Sequence, residues 1–250
     1  MFPLTDHPHL AHILFETAGI SSGAYYYRWI QRRAGVPVQA LLRGESWIVL
    51  LGCMFGAAIG NKLVFWAEVP HLLPLYWNRP EVWFGGQSMV GGLLGALLGV
   101  ELAKRLAGVR YSTGDAFVFP VLLGLMIGRT GCFVAGLEDG TYGIPTRMPW
   151  GVDFGDGIPR HPTQLYEILF AAVLWAVLHR IRERFSARSG LLFKAMLSAY
   201  LFWRLLVDGL KPVPYDYGLG LSGIQAVCAA ALSLYLPITF TQWKKLAVNA

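Results

Sequence analysis

The sequence predicts an all-α integral membrane protein of about seven transmembrane helices, with a small head of short strands outside the bilayer. Three observations lead there. Charged residues make up only 14% of the 250-residue chain and apolar residues 55%, whereas a soluble domain averages about 25% charged residues. The apolar residues fall in runs of about 20, the length that crosses the hydrocarbon core of a bilayer. Lys and Arg alternate sides between successive runs, as membrane topology demands.

Taken in order, the expected spans are 9–28, 46–68, 87–106, 115–137, 162–181, 190–209 and 217–239. The first is the weakest, because Glu16 and the "SSG" triplet interrupt it. In the third, "MVGGLLGALLGV", Gly91, Gly95 and Gly99 recur every four residues and share one face. Such a face lets a neighbouring helix approach closely. Residues 30–45 suit a short amphipathic helix at the inner surface. The aromatic stretch "PLYWNRPEVWF" between the second and third spans suits an interfacial segment.

The connections give the direction. Thirteen Lys and Arg fall on one side: Arg28, Arg32, Arg33, Arg43, Lys104, Arg105, Arg110, Arg180, Arg182, Arg184, Arg188, Lys244 and Lys245. Four fall on the other: Arg79, Arg147, Arg160 and Lys211. The positive-inside rule then places the N-terminus outside and the C-terminus inside. The longest connection, 138–161, lies outside. Its glycines and "PWGVDF" predict a cap with a hairpin or short strands.

The net charge of +6 therefore reports topology and gives no reason to expect a nucleic-acid partner. No basic n-region or cleavage pattern opens the chain, so no removable signal peptide is expected. Cys53, Cys132 and Cys228 are far apart and form no CxxC, which predicts neither a disulfide framework nor a zinc site. No internal repeat or flexible linker is visible. One membrane domain, 1–250, with a cap at about 138–161, is the simplest organisation.

Ionisable residues inside spans point to function. Lys62, Arg129, Arg204 with Asp208, Glu16 and Glu167 come from five spans, and the orientation puts all of them towards the outer face. Lys194 and Glu101 fall near the inner ends and suit snorkelling and structural roles. Buried ion pairing explains Arg204 and Asp208, four apart on one helix. Arginines at an outer-leaflet headgroup also suit a phosphate, which they bind bidentately without losing charge.

Three strings carry a resemblance: "FGGQSMVGGLLG" (84–95), "GRTGCFVAGLEDG" (128–140) and "RHPTQLYE" (160–167). With weaker echoes in "FWRLLVD" (202–208) and "GLSGIQ" (220–225), they resemble the bacterial prolipoprotein diacylglyceryl transferase family in order, spacing and layout. The resemblance implies transmembrane helices with a periplasmic head, in the bacterial inner membrane. It implies transfer of diacylglyceryl from phosphatidylglycerol to the lipobox cysteine of a prolipoprotein, with release of glycerol phosphate. Arg129 and Arg204 match the family's essential arginines, and Gly140 matches the glycine that closes its signature. His161 is the histidine of the outer-face motif and could substitute as a base; His-Pro before a helix is also a common structural entry. Arg160, Gln164, Tyr166 and Glu167 of the RHPTQLYE string, together with Lys62, complete the candidate substrate site.

The chain also departs from the family pattern. Val90 stands where the family has His, and Cys132 where it has Asn. The signature Glu position falls on Leu137, with Glu138 next to it, and the first-span Tyr aligns with Ala18. The reaction needs a thiolate, a held lipid and a stabilised phosphate leaving group. Losing a general base costs about 10²- to 10⁴-fold in rate. The arginines for the phosphate are kept. Cys132 is expected to pack as a small apolar residue, with activation by Arg129 as the other reading.

These readings converge on phosphatidylglycerol-dependent diacylglyceryl transfer to a prolipoprotein or a related acceptor. The alternative is a non-catalytic protein that binds anionic lipid on the same scaffold. No metal and no soluble cofactor are implied.

Overall fold

The computed structural model describes residues 7–37, 44–79, 86–184, 190–218 and 220–248. These residues are mostly helical: α1 (Pro8–Arg33), α2 (Glu45–Glu68), α3 (Leu73–Asn78), α4 (Met89–Ala107), α5 (Val118–Ala135), α6 (Thr163–Ile181), α7 (Leu191–Val207) and α8 (Gly223–Val248). Strands β1 (Val152–Asp153) and β2 (Pro159–Arg160) lie between α5 and α6 and pair antiparallel, with Val152 opposite Arg160. Among the described residues, four segments are long and apolar enough to cross a membrane: Glu45–Glu68, Gly114–Asp139, Thr163–Ile181 and Gly223–Lys244. Each remaining expected span coincides with a helix that falls short of that standard. Helix α1 carries Glu16 and many polar residues, α4 ends in Glu101, Lys104 and Arg105, and α7 has 17 residues.

The start of the last span differs from the sequence reading. The last helix starts at Gly223 rather than near 217. A turn occupies the difference, with Asp216 Oδ1 accepting from Gly218 N at 2.8 Å. Ser222 and Gln225 then close a capping box: Ser222 Oγ accepts from Gln225 N at 3.1 Å, and Gln225 Oε1 accepts from Ser222 N at 3.0 Å. That reciprocal pairing satisfies donors which a helix start leaves orphaned. Of the expected surface helix at 30–45, residues 30–33 form the end of α1 and 38–43 lie outside the described residues, as do 80–85, half of the expected interfacial segment.

The chain packs as two compact units. One comprises residues 35–111 and 213–236. In it α2 and α4 run against each other along facing glycine stripes. A Cβ added at Gly56 would meet the backbone oxygen of Gly95, and one added at Gly60 would meet that of Gly91. Gly52 faces Gly99 in the same way. Only glycine permits backbones this close, and the contact supplies dispersion and weak Cα–H···O attraction in place of hydrophobic burial. Polar residues here serve the backbone. Asn61 Oδ1 accepts from Ser88 N at 2.6 Å, Lys62 Nζ donates to Gly86 O at 2.7 Å, and Glu68 Oε2 accepts from Ile224 N at 2.6 Å. At the other end of α4, Lys104 pairs with Glu101 at 2.9 Å.

The other unit comprises residues 1–34, 112–212 and 237–250. Helix α1 lies along α5, with Gly19 and Gly23 facing the backbone oxygens of Gly124 and Pro120. Helices α5, α6 and α7 enclose the best-buried side chains, among them Leu122, Ala171, Leu197, Tyr200 and Leu201. Outward faces stay apolar: Leu169, Val173 and Val177 on α6, and Phe202 and Leu206 on α7, are exposed. A large exposed apolar surface on helices of this length suits contact with lipid. The start of α7 is fastened by Asp115, whose carboxylate accepts from Gly190 N at 2.8 Å and Phe193 N at 3.0 Å. Lys194 donates to Gln242.

The cap between α5 and α6 is the expected short hairpin. Asp153 Oδ1 accepts from Gly155 N at 2.8 Å and Gly157 N at 3.0 Å, and both glycines have positive φ. The cap is tied down by Ile144 N donating to Leu210 O at 2.8 Å and by Thr163 Oγ1 donating to Thr141 O at 2.6 Å.

Candidate functional site

Glu167 lies one turn inside α6 and is 1% exposed. A lone buried carboxylate is too costly to keep ionised, so it must be paired. Its partners come from two other helices. Arg129 on α5 forms an ion pair through Nε with Oε2, and Arg204 on α7 donates through Nη1 to Oε1 at 2.7 Å. Arg204 also grips Asp208 through Nη2, at 2.7 and 2.9 Å to the two carboxylate oxygens. Lys211, just beyond α7, brings Nζ to 3.4 Å from Asp208 Oδ1 and 4.0 Å from Glu167 Oε1. Burial, followed by the positive charge of Arg204, pushes the Lys211 ammonium below its ordinary value, while Glu167 and Asp208 oppose that shift.

Three cations and two carboxylates thus share one buried cluster, with one positive charge left over. Several polar atoms around it have no hydrogen-bond partner: both amide atoms of Gln164, the Tyr200 hydroxyl and Arg204 Nε. Gln164 stands three residues before Glu167, on the same face of α6, and is fully buried. Tyr200 is one turn before Arg204 on α7. A buried polar atom left unpaired costs about 1–3 kcal/mol, and native proteins keep few of them. Unpaired donors gathered around surplus positive charge can receive an anion.

A second cluster adjoins Arg129 in the same unit. Its Nη1 points at Cys132 Sγ at 3.8 Å. Cys132 is buried, and close to it are His12 of α1 and Asp139 of the 3-10 turn Gly136–Asp139 after α5. His12 Nδ1 lies 2.7 Å from Asp139 Oδ1, and its Nε2 lies 3.8 Å from Glu16 Oε2. Thr141 Oγ1 donates to the other Asp139 oxygen. Gly140 makes this possible: it ends the turn in the left-handed region, at φ 67°, between Asp139 and Thr141. Glu138 pairs with His9 at 3.1 Å.

The remaining sequence candidates form other networks. Arg160 donates to Asp156 Oδ1 at 2.6 Å and to Ile158 O at 3.0 Å, and it lies over the Tyr142 ring. It therefore secures the hairpin, and Glu167 pairs with Arg129 and Arg204 instead. That hydrogen bond holds the Asp156 carboxyl below its ordinary value. His161 Nδ1 is 3.1 Å from Tyr166 Oη, which accepts from Trp150 Nε1 at 2.7 Å. The His161 backbone also bonds Gly143, Ile144 and Thr163, so this residue joins the cap to the start of α6. Lys62 lies in the other unit, on the carbonyl of Gly86.

Sequence reading passed over Lys211, Tyr200, Gln164 as an unpaired group, and the His12–Asp139 pair. Lys211 had a signal, three residues after Asp208. His12 had none, because it meets Cys132 and Asp139 only through the packing of α1 on α5. The spacing of the cysteines predicts no metal site, yet the sulfur of Cys132 lies within 4.8 Å of a ligand atom of His12 and of Asp139.

Comparison with known proteins adds an independent line. A family model described as prolipoprotein diacylglyceryl transferase matches residues 11–241. The chain is 32% identical over 231 residues to the phosphatidylglycerol–prolipoprotein diacylglyceryl transferase of Geobacter sulfurreducens, covering 84% of this chain and 83% of that protein. It is 32% identical over 194 residues to the protein of that name from Nitratidesulfovibrio vulgaris strain Miyazaki F, with 66% and 71% covered. For the Bordetella bronchiseptica protein of the same name the identity is 33% over 185 residues, with 70% and 66% covered.

Proposed function

The chain belongs to the prolipoprotein diacylglyceryl transferase family, and we propose that its buried arginine cluster holds the phosphate of phosphatidylglycerol while diacylglyceryl passes to a prolipoprotein cysteine. One observation carries this reading: Arg129, Arg204 and Lys211 outnumber Glu167 and Asp208 by one charge, amid unpaired buried donors. A phosphodiester brings one negative charge and several acceptor oxygens, which match both deficits. The reaction transfers charge to the departing phosphate. A donor aimed at such developing charge is worth about 10²- to 10³-fold in rate. Glu167 keeps the two guanidinium groups together when no lipid is bound, and Asp208 orients Arg204. Gln164 and Tyr200 are the neutral donors to the headgroup.

We further propose that the protein spans the bacterial inner membrane seven times, with its N-terminus and the 138–161 cap in the periplasm. The uneven Lys and Arg distribution supports this orientation. The cap leads into α6 about one turn before Glu167, so Arg160, His161 and Tyr166 shape the mouth of the site. The test combines the purified chain with phosphatidylglycerol vesicles and a lipobox peptide. Thioether-linked diacylglyceryl on the peptide, with glycerol phosphate released in equal amount, is expected. Phosphatidylglycerol binding without either product would leave a lipid-binding protein and refute transfer.

A further inference from the structure

His12, Cys132 and Asp139 present one ligand atom each, all within 4.8 Å of one another. The set is a thiol, an imidazole and a carboxylate, which is zinc chemistry. Tetrahedral zinc with bonds of about 2.0–2.3 Å needs ligand atoms about 3.5 Å apart. Closing this set asks for movements of about an ångström and for opening the His12–Asp139 hydrogen bond. The surroundings are those of a metal site. With His12 Nδ1 on the metal, its Nε2 faces Glu16 Oε2, 3.8 Å away, the carboxylate that commonly fixes a ligating imidazole. Thr141 holds one oxygen of Asp139, leaving Oδ1 turned to His12. Arg129 Nη1 lies 3.8 Å from the sulfur as an outer donor, and its charge is already answered by Glu167. The deprotonated ligands carry two negative charges, which a divalent ion cancels. Cys132 and the Asp139 side chain are buried, whereas His12 is 36% exposed, which gives an ion a way in.

We propose that these three residues bind zinc and that its open fourth position takes the thiol of the acceptor. The thiol part rests on the transferase reading above; the metal part does not. Three protein ligands with one open position is the arrangement of a catalytic zinc. A thiol that coordinates zinc is deprotonated outright, and its proton passes to water. The bound sulfur then attacks the glyceryl carbon of phosphatidylglycerol. The S–C bond forms as the C–O bond to phosphate breaks, and that electron pair leaves on the phosphate oxygen of glycerol phosphate. Nothing is oxidised or reduced. The departing charge develops beside Arg129, which adjoins both clusters. This route supplies a thiolate in a chain that carries Val90 where a histidine base is the family pattern.

The test uses the purified full chain. After dialysis about one zinc per chain is expected. Cobalt(II) in its place should show a thiolate-to-metal charge-transfer band and the visible bands of a tetrahedral ion. Cys132→Ser, His12→Gln and Asp139→Asn should each drop metal content to background. Cys228→Ser should keep it. His12→Cys, which retains a ligand, should bind cobalt with an altered spectrum and so exclude misfolding as the cause of loss. A wild-type chain that takes up neither metal, or zinc retained in all three ligand variants, overturns the site. A lipobox peptide should change the cobalt spectrum and its serine counterpart should not; identical spectra with both overturn the open thiol position. A chain that binds zinc and thiol yet transfers no diacylglyceryl would refute the transferase reading and leave the metal site standing.

Discussion

The two units of the molecule spend their polar residues in opposite ways. Along α2 and α4, glycine faces glycine, and Asn61, Lys62 and Glu68 each bond a backbone group at a helix end or loop. Around α5, α6 and α7, charged side chains bond one another, and several buried donors remain unpaired. The first pattern is scaffold: Asn61, Lys62 and Glu68 each have a backbone partner within their own unit. The second carries a charge surplus and unmet hydrogen bonds, a cost that packing alone does not repay. Burial of ionisable groups is common to both units and so does not mark the site. What marks it is incomplete satisfaction.

Substitutions sharpen that contrast. Glu167→Ala should do the most damage, because it strips Arg129 of its counter-charge and leaves Asp208 alone against Arg204 and Lys211. Breaking a buried pair this way costs about 3–5 kcal/mol, so thermal unfolding of the purified chain should shift steeply downward. Added phosphatidylglycerol should restore part of that loss. Arg129→Ala and Arg204→Ala should each lower transfer by about 10²-fold or more. Lysine replacements should recover only part of it, since a point charge lacks the planar fork. Product formation at saturating peptide reads this out.

In the other unit, Gly95→Leu forces side-chain atoms into the backbone of Gly56. Overpacking of this kind costs about 1–3 kcal/mol or more. Stability should fall while the phosphatidylglycerol affinity of the folded fraction is unchanged. An equal loss of lipid affinity would break the division between scaffold and site.

His161→Gln should act mainly through the cap. Its ring is held by Tyr166 and its backbone by Gly143 and Ile144, so turnover should fall less than tenfold, whereas loss of a general base costs about 10²-fold or more. Asp156→Asn should change least. The Arg160 hydrogen bond holds the folded carboxyl below its unfolded value, so its contribution to the cap is present above the unfolded value, about 3.9. That contribution is lost as pH falls towards the lowered one. Proteolysis of the cap as pH falls should show the wild-type and variant chains converging.

Much of this is legible in the sequence. Apolar run lengths located the helices, and the hairpin in 138–161 followed from its glycines and "PWGVDF". The rule that charges inside spans carry function picked out Arg129, Glu167, Arg204 and Asp208. The stripe of Gly91, Gly95 and Gly99 was read, but its partner Gly52, Gly56 and Gly60 was passed over, although it has the same four-residue period. Other parts could not be read from spacing. His12 and Cys132 are 120 residues apart in the chain and meet because α1 packs on α5. Gln164 sits in the middle of a motif, and only burial shows that its amide lacks a partner. Lys62, Arg160 and His161 also make contacts that spacing does not show. Their roles as backbone, hairpin and cap contacts depend on which neighbour lies within about 3 Å, the reach of a hydrogen bond.

The most direct measurement is lipid binding by the purified chain in neutral membrane discs, with phosphatidylglycerol compared against phosphatidylcholine in the wild type and in Arg204→Gln. The wild type is expected to prefer phosphatidylglycerol by at least about tenfold, and Arg204→Gln, with the surplus charge removed, to lose that preference while remaining folded. Equal preference for phosphatidylglycerol in both chains would contradict the claim that the buried cluster is the phosphate site.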